Sequence, residues 1–191
     1  MKQDYLNNQI ASKIENRQAS LKDAQDRNEV CTAMPSLITV VDTTRCNLNC
    51  IMCQRNKELL DNGLKSFLKR AMLTRRFIKF YSHRKQDTVM DFGLFKKLAQ
   101  EIFPYLSVLG LTVAGEPFTN PNFSAQLDLI ESYKVKLLIF TNATLIPGGV
   151  LLTRLVNNLS GLVVSIDAAT KGTYEQIIGG ANFQQVINNI R

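Results

Sequence analysis

Four short apolar runs, separated by stretches of helical periodicity, set the rhythm of this chain. Leu37-Ile-Thr-Val-Val41, Val108-Leu-Gly-Leu-Thr-Val113, Lys136-Leu-Leu-Ile-Phe-Thr141 and Leu162-Val-Val-Ser-Ile166 are rich in aliphatic and β-branched residues, the composition of buried strands. Between them, Phe95, Leu98, Ala99 and Ile102 fall on one face of a helix over 91–103, with Asp91 as its N-cap and Pro104 just past its end. Leu127, Ile130 and Glu131 share helical spacing within 123–133, residues 150–159 read as a further helix, and a last one runs from Phe183 to Arg191. The first thirty residues are polar, with sparse apolar positions such as Leu6, Ile10 and Ile14. That pattern permits a helix with a thin apolar face, so residues 1–35 read as a peripheral arm with a frayed start.

Alternation of strand and helix predicts βαβ units and an α/β fold with a parallel sheet covered on both faces, occupying 36–191. Right-handed crossovers then bring every strand's carboxyl end to one edge, where such sheets bind their ligands.

At 191 residues the chain fits one domain with a real core. No apolar run approaches the roughly 20 residues of a membrane span, and the N-terminus lacks the apolar segment of a signal peptide, so a cytoplasmic protein is expected. The net charge of +7 is local: between Arg55 and Gln86 ten Lys and Arg face only Glu58 and Asp61. Leu60, Leu64, Phe67, Leu68 and Ala71 recur among these charges at helical spacing, which predicts a basic helical insertion at about 55–88. A solvated helix covering one side of a cavity is the plainest role for it. An acidic substrate is the next, ahead of a membrane surface or nucleic acid.

The chemistry gathers on the expected sheet edge. After the first strand, Cys46, Cys50 and Cys53 lie within eight residues. A reducing compartment and this clustering both argue against disulfides. Three thiolates suit a soft metal centre yet are one ligand short of a closed four-coordinate site. A zinc site would need His83 or Cys31 as its fourth ligand; Cys31 stands apart and reads as a bystander thiol. The second strand leads into Ala114-Gly-Glu-Pro117, the third into Thr141-Asn-Ala143, and the fourth ends at Ser165 and Asp167. Each taken alone has a plain reading as a turn or a cap.

Taken together, these motifs resemble the N-terminal part of a radical S-adenosylmethionine (SAM) enzyme. In that family a Cys-x3-Cys-x2-Cys loop binds a 4Fe–4S cluster through three irons, matching Cys46, Cys50 and Cys53. A Gly-Gly-Glu-Pro motif that contacts the SAM amino group matches Ala114-Gly-Glu-Pro117, with alanine in place of the first glycine. The resemblance implies cofactor-binding roles for Gly115, Glu116, Asn142, Ser165, Asp167 and Met52, with Gly115 letting the backbone approach the ligand. Ser165-Ile-Asp-Ala-Ala-Thr170, with Asn47, is most similar to the branch that carries SPASM-type auxiliary-cluster domains. The implied fold is a partial (β/α) barrel of which about four βα units are present out of six, an apparent C-terminal truncation. The implied activity is reductive cleavage of SAM to a 5′-deoxyadenosyl radical that abstracts hydrogen from a substrate, a peptide or small metabolite. An external electron donor such as flavodoxin or ferredoxin, and a completing chain or second copy at the open sheet edge, are the implied partners. A truncated or split remnant that keeps the fold, or binds the cluster without turnover, is the alternative.

Overall fold

The structure, a computed structural model, describes residues 2–53, 87–111 and 114–191. The body of the basic insertion, 54–86, and the last two residues of the second predicted strand lie outside the described residues. A parallel four-stranded sheet forms the centre: β1 (Leu37–Val40), β2 (Val108–Leu111), β3 (Lys136–Thr141) and β4 (Leu159–Val164), in spatial order β1-β2-β3-β4. The helices are α1 (Lys2–Asp26), α2 (Phe92–Ile102), α3 (Phe123–Ser132), α4 (Gly149–Asn158), α5 (Lys171–Ile177) and α6 (Phe183–Asn189), with a single 3-10 turn at Pro117–Thr119.

Because the strands follow one another in space as in sequence, every crossover turns the same way and α2, α3 and α4 share one face. The winding is that of a barrel wall, as the resemblance implies. Alternate strand residues Val40, Leu109, Leu111, Leu137 and Ile139 are buried against Phe95, Ala99 and Phe103 of the α2 region, Phe123, Leu127 and Ile130 of α3, and Leu155 of α4. Fully burying side chains of this size contributes about 1.5–3 kcal/mol each. The other face carries Thr39, Gly110, Leu138 and Gly161 in one register row.

Local chemistry fixes the element ends. Asp91 caps α2, its carboxylate accepting from the Leu94 N–H at 3.0 Å, as the sequence predicts. Arg154 of α4 joins Asp128 and Glu131 of α3 at 2.6 Å each, so Glu131 belongs to a surface clasp rather than to the apolar face. Two expectations fail at the C-terminal side. The fourth strand starts at Leu159, not Leu162, because α4 passes into it without a loop and Ser160 Oγ donates to the Leu137 carbonyl at 3.0 Å. A separate helix, α5, precedes the last one, which ends at Asn189.

The N-terminal arm is anchored by polar contacts. Lys13 Nζ donates to the carbonyls of Tyr133 and Lys134 at 2.7 and 3.0 Å. Asn16 holds Met34 through both its amide groups and also reaches the Tyr105 carbonyl. Since these partners lie in the turns entering β1, β2 and β3, α1 lies across the N-terminal edge of the sheet. Asp23 gathers Asn28, Thr32 and Ala33 around one carboxylate to shape the turn that follows. Among the described residues no helix is long and apolar enough to cross a membrane.

Candidate functional site

The opposite edge of the sheet is built from the loops that leave the strands. β1 ends at Val40 and delivers Asp42, which is buried and accepts from Asn120 Nδ2 at 2.6 Å. The segment 88–90 runs back antiparallel to 42–44, with Thr44 N–H bonded to Thr88 and Met90 N–H bonded to Asp42. This two-sided support fixes the backbone from which the cysteine loop springs. Cys46, Cys50 and Cys53 are all half-buried thiols outside any disulfide, and the Cys53 N–H closes a turn onto the Cys50 carbonyl at 3.1 Å. Cys31 is free and exposed, outside this loop.

Gly115 touches this loop directly. A Cβ at Gly115 would sit 2.6 Å from the carbonyl oxygens of both Thr43 and Arg45, a distance no side chain tolerates. The Glu116 N–H donates to the same Arg45 carbonyl at 2.7 Å. Gly115 thus makes a close approach between two loops. The glycine registers the cysteine loop against the turn after β2.

Glu116 is fully buried at the centre of the edge. One carboxylate oxygen accepts from the Thr141 hydroxyl at 2.7 Å and the other from the Asn142 N–H at 2.8 Å. Burial pushes its carboxyl above the usual range, opposed by these hydrogen bonds and one from Phe118 N–H. No cationic side chain among the described residues offsets that burial. A buried carboxylate of this kind fits an incoming ammonium group, whose charge would reverse the shift.

Asn142 connects Glu116 to the cysteine loop. Its Nδ2 donates to Asn47 Oδ1 at 3.1 Å and to Cys46 Sγ at 3.8 Å, while its Oδ1 accepts from the Thr144 N–H and hydroxyl at 2.9 and 2.6 Å. Asn47 Nδ2 returns to Thr144 Oγ1 at 2.8 Å. Ala143 is held at φ +58°, a left-handed conformation that a side chain disfavours. It is pinned there by the Thr141 hydroxyl accepting its N–H and by Asn189 donating to its carbonyl. Strain of this kind persists only where the surroundings over-determine it.

Ser165 is placed at the same edge by its N–H, which donates to the Thr141 carbonyl at 2.9 Å; its side chain and Asp167 are exposed. Met52 is exposed within the cysteine loop. From the other side, α5 and its following turn clasp that loop: Asn49 N–H donates to the Gly179 carbonyl at 2.8 Å and Ile51 N–H to the Ile177 carbonyl at 2.9 Å. Gly179 is required by contact, since a Cβ there would meet the Asn49 carbonyl at 2.6 Å.

Thus Cys46, Asn142 and Glu116 are joined in one network, and Cys50 is packed from the α5 side. Thr141, Thr144 and Tyr174 belong to the same edge and are not legible as site residues in the sequence. Thr141 and Thr144 flank the expected Asn142, the one signal that could have found them.

The thiols report on each other. Burial raises the Cys50 thiol to about 11, with further contributions from Cys46 and Cys53. Metal coordination would have to displace that proton, which a cationic centre beside the thiol favours. Among the described residues no three His, Cys, Asp or Glu side chains gather around a point that would hold a single metal ion.

Comparison with known proteins gives the same picture. A model of the radical SAM superfamily matches residues 40–191. No curated protein sequence matches. Among solved structures, SuiB from Streptococcus suis, bound to the precursor peptide SuiA, is similar over 91% of this chain at 16% identity, with a TM-score of 0.57. SuiB bound to S-adenosylmethionine gives the same identity and score. BtrN in complex with AdoMet and 2-DOIA is similar over 80% of the chain at 17% identity, with a TM-score of 0.47. The chain spans about a third of SuiB, 33% of its length.

Proposed function

Since this chain belongs to the radical SAM superfamily, whose members use a 4Fe–4S cluster and SAM, we propose that Cys46, Cys50 and Cys53 hold such a cluster and that the adjoining edge binds SAM. The single observation that carries this reading is the hydrogen-bonded path from Cys46 through Asn142 to the buried Glu116. It joins a soft-metal loop to an acceptor suited to an ammonium group, on one sheet edge. When bound, the cofactors supply an electron and a carbon–sulfur bond whose reductive cleavage yields a 5′-deoxyadenosyl radical able to abstract hydrogen from a substrate.

The chain's own residues do the positioning. Glu116 receives the amino group of SAM while Thr141 and Asn142 keep its carboxylate aimed. Gly115 fixes the height of the cysteine loop over that carboxylate. Met52, Ser165 and Asp167 line the exposed side of the edge, where the rest of SAM would lie. The electron comes from an external donor of flavodoxin or ferredoxin type.

For the substrate we favour a peptide, followed by a small metabolite. Support comes from the fold shared with SuiB, which is bound to a precursor peptide. The edge of β4, where Leu162 and Val163 are exposed, suits a further strand from a completing chain or a second copy. The second reading is a protein that keeps the fold, or binds the cluster, without turnover.

Anaerobic reconstitution with iron and sulfide, reduction in the presence of SAM, and assay for 5′-deoxyadenosine test the proposal. A 4Fe–4S spectrum with SAM cleavage is the expected result. A cluster that binds SAM without cleaving it would favour the second reading, and failure to assemble a cluster would overturn both.

A further inference from the structure

Tyr174 of α5 carries a buried hydroxyl on this edge that the network above does not use. The residue is fully buried, and its hydroxyl oxygen has no hydrogen-bond partner among the described residues. A buried phenol normally finds a partner, and leaving one unmade costs the fold its desolvation. The ring is well fixed. It packs with Ala143, Ile178 and Val186 and meets Phe183 at a centroid distance of 5.3 Å.

What surrounds the hydroxyl is the reason to assign it a role. Cys50 packs against this same apolar cluster. Cys50 and Asp167 lie near enough to act on the phenol electrostatically. An unpartnered hydroxyl can donate, and Cys50 brings to this same cluster a sulfur that can accept.

We propose that Tyr174 is a positioning residue for the cluster, its hydroxyl donating a hydrogen bond to the Cys50 sulfur or an adjoining sulfide and so raising the cluster's affinity for an electron. This rests on the reading of Cys46, Cys50 and Cys53 as cluster ligands. Hydrogen bonds to cluster sulfurs favour the more negative, reduced form and are one of the levers that set its potential. A phenylalanine ring at this position would fill the same space without the donor, so packing and electron affinity can be separated.

The experiment compares the full chain with its Tyr174→Phe variant, both reconstituted anaerobically, by redox titration followed by electron paramagnetic resonance. The variant is expected to hold the same iron content while its midpoint falls, the balance of reduced to oxidised cluster dropping about tenfold, or about 59 mV for one electron. A strongly coupled exchangeable proton, seen in the reduced parent by electron–nuclear double resonance and lost in deuterated solvent, should be missing from the variant. In the metal-free state the order reverses: the variant, relieved of an unpaired hydroxyl, should unfold at a temperature no lower than the parent. An unchanged midpoint together with an unchanged proton coupling would overturn the assignment and leave Tyr174 a packing residue. Failure of the parent itself to take up a cluster would instead overturn the ligand reading on which it rests.

Discussion

At the N-terminal edge of the sheet, Lys13 and Asn16 of α1 bond almost entirely to backbone groups of the turns entering three strands. At the C-terminal edge, Asn142, Asn47 and Thr144 bond largely to one another and reach a cysteine sulfur, while Glu116 accepts from the Thr141 hydroxyl and the Asn142 N–H. The contrast separates two uses of buried polarity. A side chain bonded to backbone staples one segment to another, and its loss is felt locally. Side chains bonded in a network hold one another's orientation, so that loss of one misaligns the rest. The first arrangement stabilises a fold; the second holds a set of donors and acceptors in one arrangement.

Substitutions at the two edges should therefore part company when stability and iron content are measured on the same samples. The largest effect is expected from Cys50→Ala, which should remove nearly all cluster iron after reconstitution while thermal unfolding of the metal-free protein barely moves. Iron content equal to that of the parent would contradict the assignment.

Gly115→Ala comes next. Its new methyl collides with two backbone carbonyls, so the loops must separate, at about 1–3 kcal/mol by analogy with other overpacked sites. Iron content should fall with stability, because the same contact serves both. Glu116→Gln should cost less stability but weaken SAM binding to the reconstituted protein about tenfold, as expected for loss of about 1.4 kcal/mol of charge-assisted hydrogen bonding. Calorimetric titration with SAM reads this directly.

At the other edge, Asn16→Ala should cost about 1 kcal/mol in denaturant unfolding and leave iron content untouched. A matching loss of iron would erase the distinction between the edges. The smallest effect concerns Lys13, whose ammonium is held by burial at about 8 instead of 10.5. Between those values the unfolded chain binds more protons than the folded one, so this group makes stability rise with pH across that window. Lys13→Met should flatten the rise, seen as a reduced difference in unfolding midpoint between pH 8 and pH 10.

How far the sequence foretells this structure differs by region for physical reasons. Leu109, Leu111, Leu137 and Ile139 announce themselves because a buried strand has to be apolar whatever its neighbours are. Asp91 and its cap are equally local. The helix α5 leaves little trace in the sequence: it is only seven residues long and carries Gly172 in its first turn, so its propensity is weak. It is held by tertiary contacts of Tyr174 and Ile178. The three cysteines, Glu116 and Asn142 are visible because their chemistry is unusual at strand ends. What Gly115 and Gly179 do is invisible in one dimension. Each is glycine because a carbonyl from a distant loop occupies the place of its side chain. The Asp42–Asn120 pair beneath the cysteine loop is hidden for the same reason, since each residue is an ordinary turn former until the fold joins them.

The clasp between Asn49 and Gly179 also imposes an order on biosynthesis. The cysteine loop emerges from the ribosome early, but the turn that seats it from the α5 side is made more than a hundred residues later. Contacts so distant in sequence form late. Until they form, the three thiols ride on a half-anchored loop, open to oxidation and to whatever metal is at hand. If the thiols hold a cluster as proposed, its loading would follow the closing of this clasp.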